Sequence, residues 1–86
     1  MPEPHVRNEL ILSLENQERL RSQGVRAELA GIRNVAITRG RHFLGMWRRG
    51  VAAYDWIPAG YSAPQYRAAS ADEAARYTVQ AFCQEA

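Results

Sequence analysis

Two glycines ten positions apart, Gly40 and Gly50, bracket the stretch GRHFLGMWRRG, and each stands beside arginine in a turn-like step, Arg39-Gly40-Arg41 and Arg49-Gly50. A run rich in aromatic and long apolar residues between two such punctuation points is a strand between reversals. It follows VAIT, residues 35 to 38, a compact β-branched strand, and precedes VAAYDWI, residues 51 to 57. The chain is therefore expected to run as an antiparallel β-meander through its middle. PAGYSAP, broken by Pro58, Gly60 and Pro64, reads as a connection, and a short strand is expected around Tyr66 to Ala68.

The two ends read as helices. Val6, Leu10, Ile11, Leu14 and Leu20 fall on one side of a helix at residues 5 to 23, with Leu12 off the stripe. Glu15 stands four residues before Arg19, and Gly24 suits a left-handed helix stop, with Val25 reaching back to Leu20. Residues 25 to 30 alternate as Val25, Ala27 and Leu29 against Arg26 and Glu28, which suits a strand, though the composition also permits helix or loop. At the other end Ser70 followed by Glu73 forms a capping box for a helix at 71 to 84. Its Ala71, Ala74, Ala75, Thr78, Val79 and Phe82 make a stripe of mostly small side chains that can lie close on a sheet. The expected architecture is α+β: helix, three- or four-stranded antiparallel meander, helix, with both helices on one face of the sheet. At 86 residues this is one domain, 1 to 86, with strands and loops over 25 to 68.

Composition closes off several chemistries. All eleven basic residues are arginine, so no Schiff-base, phosphate-loop or general-base lysine is present. Cys83 is the single cysteine, which removes an internal disulfide, a CxxC redox pair and a thiolate zinc cluster. His5 and His42 lack companions at ligand spacing, so no metal and no cofactor is expected. Asp55, between Tyr54 and Trp56, could serve as an acid/base group with a raised pKa, but such a carboxylate more often faces solvent or pairs with an arginine. The N-terminus has acids where a signal peptide needs bases, and no apolar run reaches membrane-spanning length, so a cytoplasmic, non-membrane protein is expected.

Charge is uneven. Three arginines against four glutamates give −1 over residues 1 to 24; seven arginines against Glu28 and Asp55 give +5 over 25 to 67; Arg76 against Asp72, Glu73 and Glu85 gives −2 over 68 to 86. Arg39, Arg41, Arg48 and Arg49 could thus meet phosphates, with Trp47 and Trp56 offering stacking surface for a nucleic acid. The order helix, strands, helix also resembles that of double-stranded-RNA-binding domains, in which a serine and lysines at the last helix start grip phosphate. Here SADEAARY puts Asp72 and Glu73 in that place, which opposes phosphate. The strand followed by SADEAARY is slightly similar to plant AP2-type and phage-integrase arm-binding domains, a resemblance over a generic helix start that implies only that a sheet would meet DNA.

Tyr61 and Tyr66, with Trp56 before and Arg67 after, form a second candidate: a small groove at loop 58 to 67 for an acidic or planar ligand or an enzyme-accessory role. The leading expectation is different. Alternation places Phe43, Gly45 and Trp47 on one sheet face and His42, Leu44, Met46 and Arg48 on the other, so helices on one side leave apolar groups uncovered. A non-enzymatic interaction module follows, pairing as a homodimer through that face or through Leu12 of the first helix, or binding another protein.

Overall fold

The computed structural model describes residues 9–31 and 34–83. Its elements run α1 (Glu9–Glu15), α2 (Glu18–Ser22), β1 (Val25–Ala30), β2 (Asn34–Arg39), β3 (His42–Arg49), β4 (Tyr54–Pro58), β5 (Tyr66–Ala68) and α3 (Ala71–Phe82). The strands form a single antiparallel sheet in sequence order, β1-β2-β3-β4-β5. The fold is α+β as expected, but the sheet has five strands where three or four were anticipated. Residues 25 to 30 pair along their whole length with β2, from Val25 opposite Arg39 to Ala30 opposite Asn34, and the short β5 pairs with β4.

The first helix is two helices. Gln17 is extended, with φ −88° and ψ 99°, and its N–H bonds Leu14 O in a tightened turn, while its own carbonyl starts the next helix by accepting from Leu20 and Arg21. An expected single helix over 5 to 23 therefore breaks at Asn16-Gln17, and its start at 5 to 8, with His5 and Val6, lies outside the described residues. The helix stop holds: Gly24 is left-handed at φ 77°, and Leu20 and Val25 are both buried beside it.

The hairpin between β2 and β3 turns on Gly40-Arg41, with Gly40 at φ 60°, the left-handed geometry that glycine adopts without steric cost. β4 begins three residues later than VAAYDWI suggests. Gly50 N–H bonds Ala53 O at 2.7 Å, so residues 50 to 53 close a turn and Val51 stands fully exposed.

Among the described residues all three helices pack on one side of the sheet. Leu10, Leu14 and Leu20 from the N-terminal pair meet Ala74 and Ala75 of α3 over Val25, Val35, Ile37, Trp47, Trp56 and Ala68. α3 starts as its sequence dictates: Ser70 Oγ accepts from Glu73 N–H at 3.1 Å, while Glu73 returns to Ala69 N–H, one residue before the cap. At its other end Arg19 and Arg39 donate to the carbonyls of Cys83 and Phe82 at 3.0 and 2.7 Å, placing two cations where the helix dipole is negative. α3 ends at Phe82, and residue 84 lies outside the described set. Among the described residues no helix is long and apolar enough to cross a membrane.

Candidate interaction surface

The β-register decides which side chains share the face that no described helix covers. From Ile37 opposite Gly45 the pairing steps to Thr38 opposite Phe43, so Leu44 is an extra residue in β3, a β-bulge. Ile37 is on the helix side; Thr38 is therefore on the other, and Phe43 goes with it. The alternation that placed Phe43 with Trp47 fails at this one step, and His42, opposite Arg39, moves to the helix side in exchange. Gly45 is what permits the kink. Its φ is +156°, and a Cβ there would lie 2.5 Å from the Trp56 ring and 2.9 Å from Ile57 O.

Beyond the bulge the bare face reads in rows. Ala36, Met46 and Ile57 stand side by side across β2, β3 and β4. Phe43 beside them is 50% exposed, Met46 is half-buried and Ile57 is the most covered, whereas the half-buried Leu44 packs against the helix-side core. The adjacent row is polar: Asn34, Arg48, Asp55 and Arg67 face one another across four strands. Asp55 Oδ2 accepts from Arg48 at 3.2 Å and Oδ1 from Arg67 at 3.0 Å. Asp55 is only 7% exposed, but the hydrogen bond from Arg67, with the Arg48 bond and both positive charges, outweighs the cost of burial and holds its carboxyl below the usual range. Of the expectations for Asp55, the arginine pairing is the one this arrangement shows, and its pKa is lowered where an acid/base role called for a raised one.

The residues first considered for a phosphate or ligand site are dispersed by the same geometry. Trp47 is fully buried, its indole facing α3, and Trp56 lies against it with ring centroids 5.2 Å apart. Arg39 is spent on the end of α3, Arg41 is exposed on the hairpin turn, and Arg48 and Arg49, neighbours in a strand, point to opposite faces. At the tyrosine loop, Tyr66 stacks on Tyr77 at 4.0 Å and donates its hydroxyl to Glu73 at 2.6 Å on the helix side, while Arg67 turns to Asp55 on the other. That shared proton lowers the Glu73 pKa and raises that of Tyr66. Tyr61 is 60% exposed. Trp56, Tyr61, Tyr66 and Arg67 are not brought to one groove.

A further feature, announced by no local sequence signal, lies at the sheet edge. Among the described residues β1 has one strand neighbour, β2, and its six paired residues contain no proline and no register shift. On its helix side Val25 is buried but Leu29 is 60% exposed, because the helix layer covers only the start of the strand. At the Val25 end of the strand an open groove of about 560 Å³ is lined by Leu14, Leu20, Val25, Ala27 and Ile37 together with the charged Glu15, Arg21, Arg26 and Glu28. The alternation of Arg26 and Glu28 was visible in the sequence; that this strand ends the sheet was not.

Comparison with protein-family models, with curated proteins and with solved structures found no match for this chain.

Proposed function

We propose that this chain is a non-enzymatic protein-interaction module that associates with itself. One observation carries the reading: among the described residues all three helices sit on the same side of the sheet, so the opposite side keeps Phe43 and Met46 at or near the surface and the β1 edge keeps Leu29 exposed. Contiguous apolar surface on a small domain is usually partner surface. The engagement of Arg48 and Arg67 with Asp55, and the enclosure of Trp47, support this reading over a phosphate-binding sheet.

Light scattering of the purified chain from about 20 µM to about 1 mM tests it, since small interfaces give weak complexes. The mass is expected to rise toward that of a dimer. A monomer throughout, together with binding to a labelled duplex that weakens steeply with salt, would replace this reading with a nucleic-acid one.

A further inference from the structure

Resting on that reading of self-association, we propose that two copies join edge to edge through β1, antiparallel about a two-fold axis at Ala27, merging their sheets into one. A free strand edge presents half of its backbone N–H and C=O groups outward, and natural edges are commonly blocked by proline, a bulge or inward-pointing charge. β1 pairs evenly over Val25–Ala30 with no proline and no bulge, and its two charges, Arg26 and Glu28, are of opposite sign, so that two copies can pair them instead of being kept apart by them.

The sequence of the strand selects the register. For two sheets to merge with their helix layers on the same side, residues of the same face must oppose, so the axis falls on a residue. On Arg26 or on Glu28 it would set like charges against each other. On Ala27 it sets Arg26 opposite Glu28 of the partner subunit, and Glu28 opposite Arg26 of the partner subunit, two favourable cross-strand pairs on the bare face.

The helix side fits the same register. Leu29 then stands opposite Val25 of the partner subunit, at the end of the strand where each chain has its groove. The groove, whose apolar lining of Leu14, Leu20, Val25, Ala27 and Ile37 is accompanied by the charged Glu15, Arg21, Arg26 and Glu28, receives the incoming leucine against its apolar part, and its own Leu29 is covered in return. The half-length helix layer is thus complementary to itself: what is overhung at Val25 is open at Leu29.

Light scattering and circular dichroism on charge variants test this. Arg26→Glu and Glu28→Arg, each folded by circular dichroism, are expected to weaken the homodimer about tenfold or more, because each sets like charges opposite across the axis. An equimolar mixture of the two is expected to recover wild-type association as a mixed dimer, and the double exchange Arg26→Glu with Glu28→Arg to recover it within one chain. As an independent readout, Ala27→Cys in a Cys83→Ser background should oxidise to a disulfide-linked dimer, whereas Ala30→Cys should not. A dimer that ignores both charge variants, shows no rescue on mixing and does not cross-link at Ala27 overturns the β1 pairing while leaving self-association in place. A wild-type chain that stays monomeric overturns both.

Discussion

Trp47 donates its indole N–H to Thr78 Oγ1 at 3.0 Å, and the same hydroxyl donates to Ala74 O at 2.9 Å. The largest side chain of the core is thereby tied to α3 by a buried polar relay with no solvent to replace it. Thr78→Val keeps the shape and removes the acceptor, leaving the indole N–H unsatisfied. A loss of about 1–3 kcal/mol is expected in chemical denaturation, and a smaller one for Thr78→Ser, which keeps the hydroxyl.

Gly45 and Gly60 both have positive φ but differ in surroundings. A Cβ at Gly45 meets the Trp56 ring and the Ile57 carbonyl, whereas at Gly60 nothing lies within 4 Å. Gly60→Ala should cost about 1 kcal/mol, the backbone penalty alone. Gly45→Ala should cost about 3 kcal/mol or more, because the strain adds to displacement of a buried ring. Paired denaturation curves give the comparison.

Asp55 makes stability depend on acid. Its native pKa is lowered, chiefly by the Arg67 hydrogen bond, so the ionised carboxylate favours the fold at pH values above the unfolded pKa of about 4. That contribution is lost as pH falls through the native value. Because Arg48 and Arg67 are themselves largely exposed, Asp55→Asn should cost only about 1–2 kcal/mol at neutral pH. Melting temperatures of wild type and variant should converge on acidification; a constant gap would contradict the assignment.

The Tyr66 hydroxyl is held by Glu73, which raises the tyrosine pKa. The interaction favours the fold below the unfolded tyrosine value of about 10 and fades as pH rises through the native one. In a titration followed by tyrosinate absorbance, one of the four tyrosines should ionise late, and Glu73→Gln should bring it back toward the ordinary range.

What could be read from the sequence was local. The Ser70 and Glu73 start of α3, the Gly24 stop and the Gly40-Arg41 reversal depend on residues within a turn of one another, and all are present. The face of Phe43 was not legible, because the bulge at Leu44 depends on a Trp56 ring arriving from the next strand to lie over Gly45. The break at Gln17 was missed because apolar spacing continues across it, from Leu14 to Leu20, while the backbone does not. The arginine cluster misled for a related reason. Arg48 and Arg49 are adjacent in the chain and opposed across the sheet, and Asp55, which engages one of them, comes from another strand.

The extra residue in β3 has a practical corollary for anyone extending this chain. The helix-side packing of β3 is anchored at Gly45 and Trp47, and Phe43 past the kink turns to the uncovered side. The tip at Gly40-Arg41 is exposed. A tag or epitope grafted between those two residues would therefore hang from a decoupled handle, and the interior would not register its length.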